Sequence, residues 1–179
     1  FELPDAPNFR DTDLATYHLD EQAFVAAPPV ERIPVDERRT FLGYDRGPSR
    51  GIGTRNDIVI LGTTSRTGAW ARALAERLQP LRTGSIDDIV AVSHTEGGAG
   101  TPNNLQLVLR TLAGFIVNPN VGAVLIVDRG DEALTNDLLR RYMREHGYPL
   151  DDVLHRFVTL RDRFEADLER GEQLVRTWL

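Results

Sequence analysis

His94 and Glu96 share one glycine-rich stretch, Ser93-His94-Thr95-Glu96-Gly97-Gly98-Ala99-Gly100, and a second short stretch, Asp128-Arg129-Gly130-Asp131-Glu132, crowds three carboxylates together. An imidazole titrates near neutrality and can take or give a proton, and a neighbouring carboxylate can act as its counterpart. His94 and Glu96 are therefore the candidate catalytic pair. Carboxylates grouped with one histidine can also hold an oxygen-preferring divalent ion such as Mg, Mn or Fe(II). His94, Asp131 and Glu132 are the candidate ligands, with Asp128 beside them. Thr63, Thr64 and Ser65 add three adjacent hydroxyls suited to a polar substrate. Each group also has a plainer use. A hydroxyl after a strand often caps the next helix, and acids at a helix start complement its dipole.

A third segment, Arg50-Gly51-Ile52-Gly53-Thr54-Arg55-Asn56, pairs two glycines with planar polar heads. A guanidinium grips a carboxylate through two parallel hydrogen bonds, and glycines let a ligand approach the backbone closely. Arg55 and Asn56 are thus candidate binders of an anionic small molecule. This segment precedes a strand, whereas the other groups follow strands. It can join them only by folding back or by serving a neighbouring subunit.

The elements that must position these groups alternate from residue 55 onward. Asp57 to Leu61, Asp88 to Val92 and Val121 to Val127 are continuous apolar runs, with Phe157 to Leu160 as a short fourth. Between them lie amphipathic stretches. Thr67 to Leu81 carries Trp70, Leu74 and Leu78, and a second helix opens at Thr101-Pro102 with Leu105, Leu109, Leu112 and Ile116. A third runs from Glu132 to His146 and a last from Arg163 to Leu179. Strands that are apolar throughout are buried on both faces, and alternation with helices means parallel βαβ units. The expected fold is α/β: a three-layer, Rossmann-like parallel sheet with helices on both faces. The strands at 57–62, 88–93 and 121–127 are expected to be adjacent. Ligands in such sheets sit at the carboxyl ends of the strands, where the hydroxyl, imidazole and carboxylate loops fall. No G-x-G-x-x-G follows the first strand; Gly62 to Gly68 imitates it only loosely, and no nucleotide is expected.

Residues 1–48 differ. They are rich in proline and acids, lack a sustained period, and read as an extended arm or linker with one short element near Leu19 to Ala26. Residues 49–179 form the α/β domain. Phe9, Leu19, Phe24 and Phe41 in the arm have too little pattern to bury themselves, which implies packing on a companion domain or a second copy, hence a homo-oligomer or a larger assembly.

Composition narrows the function. Of the 179 residues, 21 are Lys or Arg and 27 Asp or Glu, for a net charge of −6. An acidic chain without a basic run suits neither nucleic acid nor an anionic membrane. Every basic residue is arginine, so a Schiff-base or P-loop lysine is excluded, and with no cysteine so are disulfides, thiolate nucleophiles and thiolate-held metals. No apolar run approaches the length of a membrane span and no signal peptide is visible, so a cytoplasmic location is expected.

The blocks Arg50-Gly-Ile-Gly-Thr-Arg-Asn56, His94-Thr-Glu-Gly97, Arg110-Thr-Leu-Ala-Gly-Phe115 and Asn118-Pro-Asn-Val-Gly-Ala-Val-Leu-Ile-Val127, with Gly130-Asp-Glu132, resemble the altronate/galactarate dehydratase family over roughly residues 43 to 179. The resemblance is to the middle domain of those larger sugar-acid hydro-lyases. It implies removal of water from a hexonate or aldarate to give a 2-keto-3-deoxy acid. It casts Arg55, Asn56, Thr63, Thr64 and Ser65 as substrate binders, His94 and Glu96 as catalytic, and a divalent metal (Fe, Mn or Mg) on His94, Asp131 and Glu132. Positions where the family places cysteines are Thr64, Gly98 and Asp131 here. The alternative is a non-catalytic carboxylate-binding or structural module of a larger or split enzyme.

Overall fold

The computed structural model describes residues 25–179. The chain divides into two units, Phe1–Thr40 and Phe41–Leu179. Within the first, the described residues hold one 3-10 turn, Val35–Glu37, closed by hydrogen bonds from Glu37 N to Pro34 O and Arg38 N to Val35 O. The element expected near Leu19 to Ala26 lies largely outside the described residues.

The second unit begins a few residues before the boundary read from composition. Strand β1 (Tyr44–Asp45) pairs antiparallel with β2 (Ile52–Gly53), and this small ribbon leads into the main sheet. That sheet contains β3 (Asp57–Gly62), β4 (Ile89–Val92), β5 (Val121–Asp128) and β6 (Leu154–Thr159). Its order is β4-β3-β5-β6 and every pairing is parallel. Helix α1 (Gly68–Leu78) and α4 (Phe164–Arg176) cover one face, with Trp70, Leu74, Leu168 and Val175 packed on Ile58, Ile60, Leu125 and Val127. Helix α2 (Leu105–Val117) and α3 (Asn136–Glu145) cover the other, with Leu109, Leu112, Leu139 and Met143 packed on Val59, Leu61, Val124 and Ile126. The three layers and the parallel strands agree with the sequence reading. Both faces of β3 and β5 are buried, which is why their sequences carry no polar alternation. No described helix is long and apolar enough to cross a membrane.

Several boundaries move for physical reasons. Helix α1 ends at Leu78 and passes into a 3-10 turn containing Pro80, which cannot continue an α-helix. Helix α2 starts at Leu105 rather than at Thr101-Pro102, because Pro102 to Leu105 closes a turn through Asn103 and Asn104 instead. Helix α3 starts at Asn136, capped by the Thr135 hydroxyl, which accepts from Leu138 N at 3.3 Å. Strand β6 begins at Leu154, three residues earlier than expected (157 − 154), because as an edge strand it carries exposed Leu154 and Arg156 that blur its apolar run.

Candidate functional site at the carboxyl ends of the strands

The chain leaves β3 toward β4, then crosses back to place β5 on the other side of β3. This reversal falls between the carboxyl ends of β3 and β5, the place where parallel α/β sheets bind ligands. The loops after β3, β4 and β5 converge there. The Thr64 hydroxyl donates to Glu132, bridging the loops after β3 and β5. Arg129 N donates to the other Glu132 oxygen at 2.9 Å. The loop after β4 joins through Ser65 N, which donates to Glu96 O at 2.9 Å. Gly98 permits that approach, since a Cβ there would overlap the Ser65 hydroxyl. Arg66 reaches across to Asp131, with nitrogens 3.1 and 3.4 Å from its two oxygens.

His94 is held at both ring nitrogens. Glu96 N donates to Nδ1 at 3.2 Å, so Nδ1 carries the lone pair. Nε2 therefore carries the hydrogen and donates it to Thr63 O at 3.0 Å. Imidazole chemistry here requires one of these bonds to open. Among the described residues the Glu96 carboxylate has no hydrogen-bond or ion-pair partner. It is half-buried beside His94 and is the least encumbered base on the rim.

Thr63, Thr64 and Thr67 are fully buried. Thr63 Oγ1 donates to Val127 O at 3.2 Å, and Thr67 Oγ1 donates to Thr64 O at 3.0 Å. The Thr64 hydroxyl turns to Glu132 on the loop after β5, and the Ser65 hydroxyl is exposed. The side chains gathered here do not by themselves fit a divalent metal. Both His94 nitrogens and both Glu132 oxygens are occupied, Asp131 is paired with Arg66, and among the described residues no three His, Cys, Asp or Glu side chains converge.

The structure does not bring Arg55 and Asn56 to this rim within the chain. They lie at the amino end of β3, and its six residues span about 20 Å at the usual rise. Asn56 is bound into the fold: it accepts from Arg46 at 2.6 Å, donates to Ser85 O at 2.6 Å, and its backbone N donates to Asp87 at 2.6 Å. Arg50 is buried and donates to the carbonyls of Val117, Asn118, Val121 and Asp152 at 2.7–3.1 Å. Burial, and the nearby Arg46 charge, pull its pKa below the usual arginine value. Gly53 abuts the chain before β5, where a Cβ would overlap the Pro119 carbonyl oxygen, and Asn120 Oδ1 accepts from Thr54 N and Arg55 N. The Arg55 side chain is left exposed, as are those of Ile52 and Thr54.

Residues not singled out from the sequence also reach the rim. Arg66 joins it from the loop after β3. Asn136, the first residue of α3, packs on the buried Asp128, whose Oδ2 accepts from Asn136 N at 2.7 Å. The Thr135-Asn136 pair that marks the helix start was the available signal; nothing local announces the partner Asp128.

Against known proteins, a family model described as D-galactarate dehydratase/Altronate hydrolase, second domain, matches residues 43–179. One curated relative, the (2R)-sulfolactate sulfo-lyase subunit beta of Chromohalobacter salexigens, is 36% identical over 89 residues. That match covers 50% of this chain and 21% of the relative. Both descriptions are of dehydratase- or lyase-type proteins.

Proposed function

The chain belongs to the D-galactarate dehydratase/altronate hydrolase family, as its second domain, and from that premise we propose that it works as a hydro-lyase domain on a hexonate or aldarate, forming a 2-keto-3-deoxy acid. The observation that supports this reading is the cross-linked rim at the β3–β5 reversal, where hydroxyls, carboxylates and a guanidinium meet. Loss of water requires a base for the proton α to the carboxylate and an acid that protonates the departing β-hydroxyl. The resulting enol then tautomerises to the ketone. Glu96 has the free carboxylate suited to the first task. His94, pinned beside it, acts once Nδ1 or Nε2 is released. The exposed Ser65 offers a hydroxyl contact to the substrate, the buried Thr64 orients Glu132, and Arg66 offers a charge for a substrate carboxylate.

No step is assigned to a metal, because the donors of this chain alone do not form a site for one. Association with a companion domain or a second copy is part of the proposal. The sulfo-lyase relative is itself described as a beta subunit.

The second reading, a carboxylate-binding module without turnover, draws on the doubly held His94. Incubation with D-altronate and with galactarate, followed by NMR detection of a 2-keto-3-deoxy acid, separates the two. Turnover lost in Glu96→Gln supports the hydro-lyase. Binding without turnover supports the module, and neither binding nor turnover rejects both.

A further inference from the structure

Strand β4 is one edge of the main sheet, and that edge is closed at one end and open at the other. Ile58 N donates to Asp88 O at 2.9 Å, which fixes the phase of the parallel ladder. Asp88, Val90 and Val92 turn their main-chain groups to β3, while Ile89, Ala91 and, just past the strand, Ser93 turn theirs outward. Ile89 is served from within the chain: its N donates to Asp88 Oδ1 at 2.8 Å, and its O accepts from Gln79 Nε2 at 2.7 Å. Ala91 and Ser93 are only half-buried, and their outward main-chain groups have no hydrogen-bond partner among the described residues. An unpaired stretch of edge is a template for another extended chain.

The open stretch borders a groove of about 570 Å³ between β4 and α2. Val90 and Val92 line its sheet side, and Leu107, Thr111 and Phe115 line its helix side. Leu107 and Phe115 are 58% and 43% exposed and stand with Thr111 in one row along α2. His94 and Glu96 line the groove where the chain leaves β4. The Glu96 carboxylate has no hydrogen-bond or ion-pair partner among the described residues.

We infer that this edge and groove dock an extended segment of a partner polypeptide, one with apolar residues at alternate positions and a basic residue at the next alternate position. Main-chain bonds to Ala91 and Ser93 select an extended backbone, and the groove selects every second side chain. Apolar side chains opposite Val90 and Val92 cover Leu107 and Phe115, and a cation opposite His94 meets Glu96. The inference goes beyond the hydro-lyase reading and does not depend on it, since binding is measured with no sugar acid present.

The probe is the blocked peptide acetyl-Thr-Lys-Thr-Leu-Thr-Val-Thr-amide, titrated into the full chain by calorimetry. Laid antiparallel on β4, its lysine, leucine and valine fall opposite His94, Val92 and Val90, and its two central threonines exchange hydrogen bonds with Ser93 and Ala91. Exchanging its lysine for glutamate, N-methylating those two threonines, and Leu107→Glu in the protein are each expected to weaken binding about tenfold or more. Glu96→Gln is expected to abolish the preference for lysine over glutamate. N-methylation alters only the peptide, so it tests the edge whatever Leu107→Glu does to α2. No binding of the parent peptide, an N-methylated peptide bound as tightly, or lysine and glutamate peptides bound alike overturns the inference. So does a dimeric chain that Leu107→Glu turns monomeric, which would give the groove to a second copy.

Discussion

The two ends of the parallel sheet use the same residue types to opposite effect. At the amino end, Arg46, Arg50, Asn56 and Asn120 spend their hydrogen bonds on main-chain atoms and on one another, locking β1, β2 and the start of β5 together. At the carboxyl end, the half-buried Glu96 carboxylate has no partner among the described residues, and the Ser65 hydroxyl is exposed. A guanidinium or amide whose bonds are all met from within the chain holds the fold. The same group with capacity left over is available to a ligand. Arginine and asparagine near glycine therefore do not mark a site until their partners are known.

The sharpest way to break this comparison is at Arg50. Arg50→Ala leaves four carbonyls without their donor. Hydrogen bonds to a charged donor are worth about 1.5–3 kcal/mol each, so a loss of at least about 3 kcal/mol in urea unfolding is expected. Arg50→Lys should not rescue it, since one ammonium cannot reach acceptors spread across two loops. A loss under about 1 kcal/mol, as for an ordinary surface residue, would place Arg50 outside the fold's framework.

Next in size is Gly53→Ala. The neighbouring atom is a backbone carbonyl and cannot turn aside, so overpacking should cost about 1–3 kcal/mol. An unchanged Tm would show that the ribbon is free to move away from Pro119.

The carboxyl end should respond differently. Thr64→Val removes the hydroxyl that bridges to Glu132, while Arg129 N still serves that carboxylate. Stability should fall by only about 1 kcal/mol, while turnover or ligand binding falls much further. Equal, small effects on both would make Thr64 a packing residue.

The smallest expected effect concerns Asp57, at the amino end. Burial, and the nearby charges of Asp88 and Asp87, raise its pKa above the usual aspartate value, and its Oδ1 has no partner. A raised folded-state pKa means that the folded protein holds the proton more tightly. The stability this confers is present at acid pH and is lost as pH rises through the raised value. Asp57→Asn should therefore raise Tm modestly at pH 7, and the gain should shrink toward pH 4. A gain that grows at acid pH would reverse the assignment.

The layers, the parallel strands and the convergence of the loops after β3, β4 and β5 were legible because burial on both faces leaves its mark in consecutive residues. Ile58 to Leu61 and Val124 to Val127 are apolar at every position. The partners of polar groups were not legible. Arg50 finds its acceptors 67 to 102 residues away along the chain, so no local pattern distinguishes it from a ligand-binding arginine. Glu132 fits the first turn of a helix by sequence. It turns instead to Thr64 and Arg129, and Thr135 takes over the start of α3. The engagement of both His94 nitrogens likewise depends on Thr63 O, supplied by the loop after β3.

The division between a locked amino end and an available carboxyl end is tested most directly by backbone amide NMR during titration with galactarate. Shifts are expected in the loops at 63–66, 94–98 and 128–132, with those at 50–56 and 118–120 unmoved. Shifts centred on Arg55, Asn56 and Asn118 to Asn120, with a silent carboxyl end, would contradict the account.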